Sequence, residues 1–522
     1  MSDTAAAPKK SRDLTTGSIA KTMLLFALPT LGSSALQSLN GSINAIWVGQ
    51  FLGEDALAAT ANGNIVMFIL ISFIFGFGMA ATILIGQAMG RRNPMMVKKT
   101  MGTALGSIIP LSILIAVLGW VFSPALLELL GTPASAAELA LIYLRVIFIA
   151  MPATLTFTLI MMALRGAGDS TTPLWFIGLS VLIDLVLSPV LILGIGPFPE
   201  WGIFGSAFAT AVANLVALIG LVITLYLRRS MLALRLPELK FLRADPQILK
   251  SMITKGLPMG IQMIVISSAA LTMLTLINRE GVQTTAAYSA TQQLWTYVQM
   301  PAMALSAAAS AMVAQNIGAN KWHRVPDITK WGLIFNIVLT GALILVLTIF
   351  DEAALGLFLG SDSDAVPIGR HIQLVATWGY LFFGVAQVLF GTMRSNGYVI
   401  WPLIVMIISM YPVRLGFAFG LYPILGEDAL WWSFPAGMVA TAVMGAALYW
   451  YGGWRKGKIL PAEEAAQRSE EFRVNTGTSA SGRELMPTTV WKRSPLRRRL
   501  KNLQRRLQRR VLKRRLKRQS RG

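Results

Sequence analysis

The chain has 522 residues, of which 54% are hydrophobic and only 13% charged, against about 25% charged in an ordinary soluble domain. That balance disfavours a large water-soluble enzyme and leaves room for twelve membrane spans of roughly 20–25 residues each. The net charge of +22 is concentrated in the tail: residues 1–454 hold 24 Lys+Arg against 19 Asp+Glu, and residues 455–522 hold 22 against 5.

In chain order, the first 20 residues are polar and lack an apolar core, so no cleavable secretory signal is expected. Apolar runs of bilayer-crossing length then recur. They predict spans at 22–46, 56–80, 99–122, 137–160, 173–194, 203–227, 256–278, 286–314, 331–350, 370–392, 401–422 and 431–451. The expected fold is an all-α polytopic membrane protein. Its divisions are a leading segment 1–21, a first six-helix lobe 22–227, a linker 228–255, a second lobe 256–454 and a basic tail 455–522.

The loops alternate in sign. Basic loops carry Arg91, Arg92, Lys98 and Lys99, then Arg165, then Arg228 to Lys255, then Lys321, Arg324 and Lys330, then Arg394. The intervening loops carry Glu54 and Asp55, Glu128 and Glu138, Glu200, Asp351 and Glu352, and Glu427 and Asp428, with Arg279 beside Glu280 as the exception. Cytoplasmic loops are enriched in Lys and Arg, so both termini are expected in the cytoplasm of a bacterial inner membrane.

The chain also repeats itself. Gly53 recurs as Gly281 and Gln87 as Gln315, each 228 positions on; Pro29 recurs as Pro258, Arg165 as Arg394 and Pro173 as Pro402, each 229 positions on. Six spans per half give the halves one orientation, hence a pseudo-twofold axis along the membrane normal and a shared site near mid-membrane.

The segments LPTLGSSALQSLNGSINAIWVGQFLGEDALAA, IGQAMG and LRGAGDSTTP, with matching anchors in the second half, resemble the multidrug and toxic compound extrusion (MATE) transporters, and within them the DinF-like branch. The resemblance covers about residues 15–455. It implies two six-helix lobes, a central cavity, and export of amphipathic, often cationic compounds in exchange for protons or sodium.

Asp184 is a candidate on physical grounds alone. It stands about eleven residues, roughly 16 Å, into the span beginning near Pro173, the middle of a hydrocarbon core about 30 Å thick. A carboxylate there costs several kcal/mol unless paired, wet or protonated, and a carboxyl that changes charge is what proton-coupled exchange requires. The resembled branch proposes a protonation site in this helix. Asn40, Asn44, Ser180, Thr210 and Asn214 are the supporting candidates; a second acid that the branch often carries is replaced by Asn44. Pro29 removes a backbone donor and permits a kink. In the second lobe, Gln262, Gln292 and Arg414 are cavity candidates. The lack of a second mid-membrane acid favours H+ over Na+ as coupling ion.

The chain has no cysteine and only His323 and His371, so no metal or cofactor site is expected. No Walker A, HExxH or nucleophile elbow is present, which argues against an ATP-driven pump or an enzyme. Leu496, Leu500, Leu503, Leu507 and Val511 draw a narrow apolar stripe through a cationic tail, which suits anionic lipid better than nucleic acid. The leading expectation is a monomeric, proton-coupled multidrug antiporter. The alternatives are a flippase for a lipid-linked precursor and a non-transporting anchor with a nucleic-acid- or lipid-binding tail.

Overall fold

The computed structural model describes residues 13–457, except Pro133, Ser361 and Asp362. With no water in the bilayer core, backbone donors and acceptors must pair within each segment. The apolar runs accordingly form helices, and no strand occurs among the described residues. The first half supplies α1 (Ile19–Leu52), α2 (Glu54–Gly90), α3 (Pro94–Leu129), α4 (Ala134–Gly166), α5 (Thr171–Leu193) and α6 (Gly202–Leu227). The second supplies α7 (Pro246–Ile277), α8 (Val282–Gly318), α9 (Val325–Ile349), α10 (Asp351–Leu359), α11 (Ala365–Ala376), α12 (Gly379–Arg394), α13 (Ile400–Ile408), α14 (Arg414–Leu425) and α15 (Asp428–Tyr451). Among the described residues, eleven crossings are long and apolar enough to span a membrane, counting α13 and α14 as one, and α11 with α12 makes a twelfth, bent by 46°.

Three features depart from the sequence expectation. The span at 370–392 is broken between α11 and α12. A π-helical turn, Ser409–Val413, joins α13 to α14 inside the span at 401–422. The acidic loop after α9 winds into α10, where Arg370 Nε reaches Asp351 at 3.0 Å. Pro29 lies inside an unbroken α1, with the Ser33 hydroxyl donating to its carbonyl at 2.8 Å.

In the most apolar window of α8, 78% of residues are buried inside the protein, and in that of α2, 61%; the figure is 17% for both α3 and α9. Among the spans α8 is therefore the most enclosed, α2 shares its level of burial with α4 and α15, and α3 and α9 turn most of their surface outward. The lobes meet where α2 crosses α7: a Cβ on Gly76 would lie 2.2 Å from the Gly256 carbonyl oxygen and 2.5 Å from Gly260 N. Small residues at such crossings let backbones approach closely.

On the basic face, Lys98 pairs with Glu238 of the linker, and Asp245 caps α7 by accepting from Gln247 N at 2.9 Å and Ile248 N at 3.2 Å. On the opposite face His371 Nε2 meets Asp428 at 2.6 Å. Residues 1–12 and the tail from 458, with its apolar stripe, lie outside the described residues.

Candidate functional site

The first lobe encloses a cavity of about 580 Å³. One wall is a polar stripe on α1, where Gln37, Asn40, Gly41, Asn44, Ala45 and Val48 recur at helical spacing. Thr60, Asn64, Met67, Phe68 and Ile71 of α2, Tyr143, Ile147, Ala150 and Thr154 of α4, and Ala207, Thr210, Ala211 and Asn214 of α6 complete it.

Asp184 stands one side chain behind this wall and is only 3% exposed. Asn40 Nδ2 donates to its Oδ2 at 2.8 Å, and the Thr210 hydroxyl reaches Oδ1 at 3.0 Å and Oδ2 at 3.2 Å. Among the described residues no cation lies within ion-pairing distance of it. Hydrogen bonds to a charged group are worth about 1.5–3 kcal/mol each. Two such donors are of the same order as the several kcal/mol that the bilayer interior exacts from a lone charge. The pocket can therefore hold the carboxyl in either charge state, and the hydroxyl of Thr210 can donate to one state and accept from the other.

The remaining supporting candidates form an adjoining chain. The Ser180 hydroxyl donates to Asn214 Oδ1 at 3.1 Å, and Asn214 Nδ2 points to the Thr154 hydroxyl at 3.5 Å. Asn44 Oδ1 accepts from Ser206 at 2.8 Å. The amide that meets Asp184 is thus Asn40, one turn from Asn44, and Asn214 reaches Ser180 rather than the carboxylate. The sequence reading missed Gln37, Thr60, Asn64, Tyr143 and Thr154. The 4, 3, 4 spacing of Tyr143, Ile147, Ala150 and Thr154 is the signal that would have found the α4 wall.

The second-lobe candidates lie elsewhere. Gln262 is buried on α7, its Nε2 3.5 Å from the Val399 carbonyl, and Gln292 is half-buried on α8. Arg414 is 6% exposed, with its guanidinium 3.6 Å from the Phe434 ring centre. Tyr288 packs on Phe434 at 5.9 Å, and Trp295 on Phe434 at 5.0 Å and on Tyr380 at 5.4 Å. Pro173 and Ser180 recur as Pro402 and Ser409 at an offset of 229, but a π turn accommodates one residue more than an α turn. At the 229 offset the position answering Asp184 is Val413, the last residue of this turn, and Arg414 follows it directly. Asp184 and Arg414 thus lie within one residue of equivalent positions in the two lobes.

In LRGAGDSTTP, Asp169 caps α5 by accepting from Thr171 N at 3.1 Å and Thr172 N at 2.9 Å, a structural use of this segment. Among the described residues no cluster of three or more His, Cys, Asp or Glu could hold a metal ion.

Comparison with known proteins agrees with this architecture. The family model MatE matches twice, over residues 29–190 and 258–419, two segments of equal length that repeat the 229-residue offset. The chain is 34% identical to the probable multidrug resistance protein YoeA of Bacillus subtilis over 88% of this chain and 99% of that protein. It is 29% identical to the probable multidrug resistance protein YpnP of the same organism, over 86% and 99%. A solved structure described as the outward-facing conformation of a multidrug resistance MATE family transporter superposes with a TM-score of 0.79 at 19% identity, covering 86% of this chain and all of that one.

Proposed function

The chain belongs to the MatE family, the multidrug and toxic compound extrusion transporters, and from that premise we propose that it exports amphipathic, often cationic small molecules in exchange for protons, with Asp184 as the group that takes up and releases the proton. The observation that carries this reading is a buried carboxyl with two neutral hydrogen-bonding partners and, among the described residues, no ion pair, one side chain from a cavity of about 580 Å³. A carboxylate locked to a cation would have no reason to change charge. This one has. Asn40 and Thr210 belong both to the cavity wall and to the carboxyl, so cargo that displaces their hydrogen bonds alters the environment of the proton.

The coupling ion in this reading is H+ rather than Na+, because the partners of Asp184 are the neutral Asn40 and Thr210, with no second carboxylate among the described residues to complete a sodium cage. The basic loops favour cytoplasmic termini by the positive-inside rule, and the cationic composition of residues 455–522 suits attraction to anionic lipid. The working unit in this reading is a monomer.

The test is dye or drug uptake into inverted vesicles under an imposed pH gradient. Uptake collapses to background in Asp184→Asn and persists when sodium is removed. Full uptake by that variant, or a strict need for sodium, removes the assignment.

A further inference from the structure

A second set of contacts closes the seam between the lobes on the basic face. Gln87, near the end of α2, sends Nε2 to the Ser395 carbonyl just beyond α12 at 2.8 Å. Gln315, near the end of α8, sends Nε2 to the Gly166 carbonyl at the end of α4 at 3.1 Å. Both bonds run from one lobe to the other, and both glutamines are 3% exposed. The donors are 228 positions apart and the acceptors 229, so each bond is the other's pseudo-twofold counterpart. Both acceptors sit at helix C-termini, whose last carbonyls have no partner inside the helix.

The backbones around these bonds are interlocked. A Cβ on Gly90 would lie 1.9 Å from the Gln315 carbonyl oxygen, and one on Gly318 would lie 2.1 Å from that of Gln87. A Cβ on Gly86 would stand 3.0 Å from the Cβ of Ala314, its own counterpart 228 positions on. A residue that touches its own counterpart marks the axis, so the paired bonds flank the line about which the lobes are related.

One half carries an addition. Leu14, fully buried ahead of α1, donates its N–H to Gln315 Oε1 at 3.2 Å, and its carbonyl accepts from Asn316 Nδ2 at 3.0 Å. Lys321 Nζ holds the Thr15 carbonyl at 2.9 Å and Arg324 holds that of Gly17 at 2.9 Å. This short strap leads into the first lobe while all four of these partners belong to the second. The corresponding segment ahead of α7 packs on α3 instead, where a Cβ on Gly106 would lie 1.8 Å from the Leu242 carbonyl oxygen.

We propose that Gln87 and Gln315 are the two halves of a clasp that holds the lobes together on the basic face, and that residues 13–17 lock the Gln315 half. The clasp acts as a positioning device: it touches neither the cavity nor Asp184, and it sets how often this side of the path opens. The proposal rests on the transport reading only in that a transporter must open here. Each clasp bond can be exchanged for bonds to water when the seam parts, so the clasp biases the equilibrium without making it irreversible.

The chain has no cysteine, so Ala311→Cys, at a position 1% exposed beside the seam, gives a unique reporter. Its labelling by a membrane-impermeant maleimide is followed in sealed vesicles of both orientations, without cargo or gradient. Labelling from the basic face accelerates at least tenfold in Gln87→Ala/Gln315→Ala, more in Gln315→Ala than in Gln87→Ala, and also in Leu14→Asp, which leaves both glutamines in place. Gln299→Ala, on α8 away from the seam, labels at the parental rate. The proposal fails if the double variant and Leu14→Asp both unfold at the parental temperature yet label at the parental rate, or if labelling rises equally from both faces. Since labelling needs neither proton nor drug, a failure of the coupling assignment leaves this result untouched.

Discussion

The sharpest consequence of the geometry concerns how tightly cargo binds as pH changes. A cationic group resting against the Asn40 amide sits beyond the 2.8 Å bond from that amide to Asp184, which places the two charges about 6–7 Å apart. At an effective dielectric constant of about 20, their attraction is about 2.6 kcal/mol, or close to two decades in Kd. A monocationic drug should therefore bind 10–100-fold more tightly when Asp184 is ionised, with Kd changing by no more than one decade per pH unit between the two limits. Asp184→Asn is nearly isosteric, keeps an acceptor for Thr210, and lets Asn40 turn its own oxygen toward the new amide. It should hold Kd at the weak limit across the whole range, while a neutral analogue of the same size binds both proteins alike at every pH. Equilibrium binding to detergent-solubilised protein by fluorescence or calorimetry measures this directly. A pH-dependent Kd for the cation that survives in Asp184→Asn, or equal pH dependence for the neutral analogue, would refute the reasoning.

Two further outcomes follow from other parts of the fold. Gly76→Ala puts a methyl group 2.2 Å from a backbone oxygen, which only separation of α2 from α7 can relieve; at the upper end of the 1–3 kcal/mol typical of overpacking, it should lower the thermal midpoint in detergent by several degrees, whereas Gly420→Ala, with nothing within 4 Å, should not lower it. In the strap, burial pushes Asp13 up, but the Thr15 hydrogen bonds and the Lys321 and Arg92 charges outweigh it and hold the carboxyl below its usual range. A lowered folded value gives stability that is complete above the unfolded value of about 3.9 and is lost as pH falls through the folded one, so strap protection against proteolysis should persist at pH 5, fall away below about pH 4 and lose that step in Asp13→Asn.

How far the sequence led can be judged residue by residue. Asp184 was legible because a lone acid in a run such as LSVLIDLVLSPVLIL has no ordinary explanation, and Thr210 followed because α5 and α6 are joined by a short loop and must pack. The choice between Asn40 and Asn44 was not legible. They lie one turn apart on one face, about 6 Å along the axis, and which of them meets α5 depends on how α1 slides against it, a tertiary quantity that no local pattern encodes. The break between α11 and α12 was equally hidden, because the apolar run continues across it. The clasp was half visible: Gln87 and Gln315 stood out as landmarks of the repeat, but a repeat says that two residues are equivalent, not that each reaches across to the other's lobe.

The π turn at Ser409–Val413 changes what the repeat means for mechanism. At the repeat offset of 229 the position answering Asp184 is Val413, a neutral residue, and Arg414 follows it directly. Beyond the π turn Arg414 packs its guanidinium on Phe434 inside the second lobe, and Tyr288, which also packs on Phe434, lies 228 positions after Thr60 of the first-lobe cavity wall. A guanidinium stays protonated throughout the accessible pH range, so this charge cannot cycle. Under the proposed proton coupling, one lobe carries a charge that changes beside a cavity and the other a charge that does not, so the work of exchange falls on the first lobe; among the described residues the buried acid of the second lobe, Asp351, is already paired with Arg370.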